Sequence, residues 1–235
     1  MPDVALTWLG HAAFRFDTPG GTRVYVDPFL TGNPRCPEPE QTPERVDLVL
    51  VTHGHDDHVG DTVALHKRFG APVVALVECR GWLTGQGCEQ AVQHAGNKGG
   101  TISVEGLKVT FTDANHSSSA YDDGTFVYLG EPAGLVVEVE NGTKLYFAGD
   151  TNVFMSMQLI GRIYEPDVAI IPIGDHYTMG PREAAVALEL LGVERCVPSH
   201  YGTFPLLTGT PEQLRELAPA GVEILVPEPG ETITV

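Results

Sequence analysis

The stretch VTHGHDDHVGD, Val51 to Asp61, decides how this chain is read. It follows the apolar run Val46-Asp47-Leu48-Val49-Leu50-Val51, which has the length and β-branched content of a buried strand. His53, His55 and His58 therefore gather beside Asp56, Asp57 and Asp61 where a strand ends. One residue separates His53 from His55, so an extended or turning backbone aims both imidazoles at one point. Asp57 and His58 are adjacent and diverge, which suits a second point close to the first. The string reads as half of a two-metal nest.

Around this stretch the chain of 235 residues shows no low-complexity or Pro/Ser-rich linker, so one domain over residues 1–235 is expected. An apolar content of 42% with frequent Gly and Pro describes a turn-rich globular protein with a sizeable core. The opening MPDVALTWLG has neither a basic start nor a long apolar stretch. No later run approaches the ~18 apolar residues of a membrane span, so a cytoplasmic protein with no membrane partner is expected. Cys36, Cys79, Cys88 and Cys196 show no CxxC spacing, and such isolated thiols suit a reducing compartment better than metal ligation. The formal net charge of −17, with only 14 Lys and Arg, makes nucleic acid an unlikely partner, since non-specific binding needs cations to neutralise phosphates. A small substrate, even an anionic one, is compatible, because bound cations dominate a local field.

Short apolar runs bounded by Gly, Pro, Asn and Asp recur along the chain and predict layered α and β structure. Strands are predicted at Ala5-Trp8, Ala13-Phe16, Arg23-Val26, Asp47-Thr52, Val73-Val77, Lys108-Asp113, Leu135-Val139, Lys144-Ala148, Val168-Pro172, Arg195-Pro198, Val222-Leu225 and Thr232-Val235. Helices are predicted at Asp61-Phe69, Asn152-Ile163, Pro181-Leu191 and Pro211-Leu217. AFRFDTPGGTRVYVD (Ala13 to Asp27) and VVEVENGTKLYFAGD (Val136 to Asp150) both run strand, Gly-Thr-basic turn, strand, acidic residue. Any two hairpins share some of this; a true duplication implies two similar halves related by a pseudo-two-fold.

His53-Gly54-His55-Asp56-Asp57-His58 resembles the HxHxDH signature of the metallo-β-lactamase superfamily, set after a strand and before a helix as that motif requires. The resemblance implies a four-layer αβ/βα sandwich, of mixed α/β class, and further ligands in a set order: a lone His, an Asp after a strand, a late His. His116 in TDANHSSSAY, Asp150 in LYFAGDT and His200 in CVPSHYGTF meet that order. Singly, each has an ordinary alternative as a loop residue, a helix cap or a turn residue. Carried over residue by residue, the family pattern puts His53, His55 and His116 on one metal and Asp57, His58 and His200 on the other, with Asp150 bridging. Five imidazoles and two carboxylates suit two borderline divalent ions, zinc foremost, with manganese, iron, nickel and cobalt also compatible. LGHAAF, DPFLTGNP, GDTNVF, IPIGDHYTMGP and HYGTFPLL extend the similarity to a metal-dependent hydrolase branch that resembles ascorbate-phosphate lactonases.

Two divalent ions facing two carboxylates keep a surplus of positive charge, and such a pair supplies hydroxide at neutral pH. The implied activity is hydrolysis of a small ester, lactone or phosphoester by a hydroxide bridging the metals. The rivals are a nucleotide or cyclic-nucleotide phosphodiesterase or nuclease, and a metal-containing binding protein without turnover. His11 in LGHAAF and His176 in GDHYTMGP are candidate catalytic residues that stabilise developing negative charge. Asp61 and Asp175 are candidates to orient ligating imidazoles, with helix capping an equal account of Asp61. Asp56 is expected to be a solvated neighbour. Tyr201 and Thr203 stand close enough to His200 to reach the pocket or to pack its turn. Ser117, Ser118 and Ser119 offer hydroxyls beside His116, while His66 and His94 are expected at the surface. Assembly into a homo-oligomer is compatible with the branch.

Overall fold

A computed structural model describes residues 3–89 and 92–235. The chain begins with β1 (Ala5–Trp8), β2 (Phe14–Asp17), β3 (Arg23–Val26) and β4 (Leu48–Leu50), then α1 (Asp56–Val59) and α2 (Thr62–Phe69). It continues through β5 (Val73–Leu76), α3 (Val77–Gly85), β6 (Ala95–Gly96), β7 (Thr101–Val104), β8 (Leu107–Asp113), β9 (Ser119–Asp122) and β10 (Thr125–Tyr128). The remainder is β11 (Ala133–Glu138), β12 (Lys144–Phe147), α4 (Met157–Tyr164), β13 (Val168–Pro172), α5 (Pro181–Leu191), β14 (Arg195–Ser199), α6 (Pro211–Leu217), β15 (Glu223–Ile224) and β16 (Thr232–Thr234).

Two seven-stranded sheets form, in the orders β16-β1-β2-β3-β4-β5-β6 and β7-β8-β11-β12-β13-β14-β15. Each begins with three antiparallel pairings and ends with three parallel ones. The hairpin echo is thus structural, since β2–β3 and β11–β12 hold the same place in their sheets. The match reaches single bonds: Arg23 N donates to Asp47 Oδ2 at 2.7 Å in one half, and Lys144 N donates to Asp167 Oδ2 at 2.8 Å in the other.

The alternation of side chains along a strand sorts the layers. Val24, Val26, Leu48, Leu50, Val74 and Leu76 face the second sheet in one core, while Tyr25, Val49, Val73 and Ala75 face Leu65 of α2 and Cys79 and Leu83 of α3 in another. Met157 and Ile160 of α4, Ala184, Leu188 and Leu191 of α5 and Leu214 of α6 cover the far face of the second sheet. The order is helices, sheet, sheet, helices. All four cysteines are free and buried within these layers.

Three expectations change. α4 starts at Met157, not at Asn152, because the segment before it is tied sideways: Asn115 N donates to Thr151 Oγ1, and Met179 N donates to the Thr151 carbonyl. Val77–Gly85 is a helix that sequence periodicity did not single out. Between His116 and β11 the chain forms a two-stranded hairpin, β9–β10, which stands apart from both sheets.

Candidate metal centre

Site residues come from six strands that run the same way within their sheets. His11 follows β1, Asp27 follows β3 and His53 to His58 follow β4; His116 follows β8, Asp150 follows β12 and His200 follows β14. The carboxyl ends of parallel-running strands are where α/β sheets place ligands. Gly54 leaves room for Leu129 between its two histidines: a Cβ there would lie 2.5 Å from Leu129 Cδ1. Its N–H donates to Ser118 Oγ at 3.1 Å.

Ligating atoms of His53, His55 and His116 lie within 4.8 Å of one another, and so do those of His11, Asp57, His58 and His200. Asp150 stands between the two groups. Its Oδ1 is 3.2 Å from His58 Nε2, and its Oδ2 is 3.1 Å from His200 Nε2 and 3.6 Å from His116 Nε2. The structure therefore gathers all seven expected ligands, and His11 joins them, fully buried with Nε2 at 2.9 Å from Asp57 Oδ2. His176 is not brought in: it is exposed, and its ring packs against Tyr177.

Burial disfavours charge on every imidazole here. It holds His53, His55 and His116 below their usual pKa, and it pushes His11 down to about 4 despite the bond to Asp57. For His58 the same burial is overcome by Asp150, Asp27 and Asp57, which raise it well above 6.5. His200 is likewise raised, to about 9, by Asp150 acting against burial. Burial would lift Asp57 and Asp150, yet His58 and His11 keep Asp57, and His200 and His58 keep Asp150, below the usual carboxylate range. The carboxylates thus favour positive charge in this cluster, which bound cations supply.

The donors fit divalent ions. His58 Nε2 and Asp150 Oδ1 are sealed from solvent and make no hydrogen bond, although they are 3.2 Å apart. An unsatisfied buried polar atom costs about 1–3 kcal/mol, and a cation between the two engages both. Imidazole nitrogen with carboxylate oxygen is the donor set of zinc and its neighbours.

Asp27 is the orienting residue that motif reading missed. His58 Nδ1 lies 2.7 Å from Asp27 Oδ2, and Thr52 Oγ1 donates to the same oxygen at 2.6 Å. With its proton so used, Thr52 Oγ1 accepts from His53 Nδ1 at 3.0 Å. Nδ1 therefore carries the proton on both rings, and Nε2 of each faces the centre. The hairpin echo held the signal, since Asp27 and Asp150 both follow the second strand of an equivalent hairpin. Asp61 and Asp175 orient no imidazole. Asp61 Oδ2 accepts from Leu30 N and Thr31 N at 2.9 and 2.8 Å, and exposed Asp175 accepts from His176 N. Asp61 stands at the N-cap of α2 but its side chain makes no cap bond. Asp56 is exposed, as expected. Tyr201 stacks on Trp8, and Thr203 Oγ1 lies 3.0 Å from His11 Nδ1. His66 is half-buried, not superficial, because it bridges the Ala71 carbonyl and Glu89 N; His94 is half-buried too.

A family model described as the beta-lactamase superfamily domain matches residues 22–201. A protein of Herpetosiphon aurantiacus named a metal-dependent hydrolase is 47% identical over all of this chain and 99% of its own length. One of the same name from Rubrobacter xylanophilus is 50% identical, covering 97% of this chain and 95% of its own. Among solved structures, a metallo hydrolase from the archaeon Ignicoccus hospitalis superposes with a TM-score of 0.84 at 36% identity, over 99% of this chain and 98% of the other.

Proposed function

The chain belongs to the metallo-β-lactamase superfamily as a metal-dependent hydrolase, and from that premise we propose that it holds two divalent ions and cleaves a small ester, lactone or phosphoester. His53, His55 and His116 hold one ion, Asp57, His58 and His200 the other, and Asp150 reaches both. When bound, such a pair supplies hydroxide at neutral pH and polarises the substrate oxygen. The observation that carries this reading is Asp150, whose two oxygens lie within 3.6 Å of imidazoles from both groups.

The chain's own residues supply the rest. Asp57 stays ionised and only accepts, so neutral His11 keeps its proton on Nε2 and takes a hydrogen bond at Nδ1 from the Thr203 hydroxyl. His11 Nε2–H is a donor aimed into the cluster, where Asp57 accepts it and is held in place for the second ion. Asp27 and Thr52 keep the rings of His58 and His53 from turning, so the donor atoms need no rearrangement.

The test is elemental analysis of the purified protein, coupled to assays on lactones, esters, thioesters, phosphodiesters and β-lactams with and without chelator. Two ions per chain and chelator-sensitive hydrolysis are expected. Hydrolysis that survives complete metal removal contradicts the reading.

A further inference from the structure

We infer that the substrate is an uncharged ester or lactone bearing an apolar group, which lies along the outer face of the β9–β10 hairpin. The inference rests on the hydrolase reading above and names its substrate class. Burial alternates from Ser117 to Tyr121: Ser118 and Ala120 point inward and are buried, whereas Ser117 and Tyr121 are exposed and Ser119 is half-buried between them. Register puts Tyr128 opposite Ser119 and Phe126 opposite Tyr121. One face of the hairpin therefore carries Tyr121, Phe126 and Tyr128, exposed by 58%, 73% and 71%. Among the described residues the hairpin is anchored through its inner face, by Ala120 in the core and by Asp122, which accepts from Gln86 Nε2 at 2.9 Å. Tyr121 and Phe126 pack edge to face on each other at 5.0 Å, yet all three rings stay mostly open to solvent.

The aromatic face starts at the outer edge of the His55 ring, whose Nδ1 lies 3.0 Å from His53 Nε2. Ser117 Oγ lies 3.3 Å from His55 Nε2. At roughly 3.3 Å of rise per residue, the Tyr128 level is about 7 Å along the strand from Ser117 and the Phe126 level about 13 Å. Phe204 continues the apolar lining at the other group, 38% exposed with its ring 5.4 Å from that of His11. Charge points the same way. None of the chain's 14 Lys and Arg falls within residues 8–13, 26–34, 51–60, 114–129, 148–157, 173–180 or 198–207, the segments that build or adjoin the site. Arg35, just outside them, is engaged over the Trp8 ring at 5.8 Å. Phosphate and carboxylate groups are ordinarily gripped by Arg or Lys, and aromatic rings without cations select an uncharged, apolar ligand.

Calorimetry on the zinc-loaded protein tests this with acetohydroxamic and octanohydroxamic acid, which share a metal-binding head and differ only in the tail. Burying one methylene is worth about fourfold, so a half-buried tail of six should tighten binding on the order of 50-fold. In the Phe126→Ser/Tyr128→Ser variant that ratio should fall to about 5-fold or less, with zinc content and acetohydroxamate affinity unchanged. kcat/KM should rise from p-nitrophenyl acetate to the octanoate in the wild type only, and both should exceed bis(p-nitrophenyl) phosphate. Equal affinity for the two hydroxamates, a ratio that survives the substitutions, or preference for the phosphodiester overturns the inference. An intact ratio without any ester turnover supports the apolar face and counts against the hydrolase reading alone.

Discussion

His11, Asp27 and His200 share an unusual backbone, with φ of 56°, 46° and 54°. Non-glycine residues seldom adopt this region, and each instance costs on the order of 1–3 kcal/mol that neighbours must offset. The His11 carbonyl shows how, accepting from Trp8 Nε1 and from His200 N at 2.9 Å each. The bent backbone turns His11 and His200 toward Asp57 and sets Asp27 against His58 Nδ1. His11→Ala should lower turnover by about 10–100-fold while both ions are retained at saturating zinc, as read by steady-state kinetics with elemental analysis; loss of an ion would make His11 a ligand instead. Asp150→Asn should impair metal occupancy and activity together, and normal values of both would remove it from the centre. Asp27→Asn should weaken metal affinity about 10–100-fold, measured by competition with a chelating dye. Unchanged affinity would show that the rings of His53 and His58 hold without it.

At the scale of elements, α6 is closed by a full capping box: Gln213 N donates to Thr210 Oγ1 at 3.3 Å and Thr210 N donates to Gln213 Oε1 at 3.0 Å. Thr210→Ala should cost about 1 kcal/mol in a urea titration, with metal content unaffected; an unchanged midpoint would deny the box any share in stability. α6 and α5 were legible because Pro at the first turn and a periodic apolar face announce them. Their bounds, Pro211–Leu217 and Pro181–Leu191, match those read from sequence. α3 was not, since Val77-Glu78-Cys79-Arg80-Gly81 continues an apolar strand and contains a glycine, and its burial against the first sheet overrides that propensity. β10 escaped for the opposite reason. All four of its residues are exposed, so no inward alternation marks it. The seven-residue cluster was legible because its ligands follow strands in an order one motif sets, whereas Asp27 acts through Thr52 and His58 and is marked only by the hairpin echo it shares with Asp150.

At the scale of the whole molecule, burial shapes the response to alkali. Cys79 and Cys196 lie in separate cores and burial pushes both thiols up, Cys79 to about 12. In the unfolded chain a thiol ionises near pH ~8.5. Above that the unfolded state has lost protons the folded state still holds, so stability present below it should decline as pH rises toward about 12, by about 1.4 kcal/mol per pH unit for each fully buried thiol. Denaturant titrations of metal-free protein at pH ~10 and ~11, above the range in which His200 loses its proton, check the sign; equal stability would mean the thiols ionise in the folded state. Bound ions act on the whole fold as well, because ligands that bind only the native state stabilise it, and chelation should lower the Tm. The central claim is that two sheets with one shared strand order deliver seven side chains to a pair of ions. Anomalous diffraction from crystals of zinc-loaded protein tests it most directly. Two peaks are predicted, one among His53, His55 and His116 and one among Asp57, His58 and His200, each touching Asp150; a single peak, or peaks away from Asp150, would contradict the account.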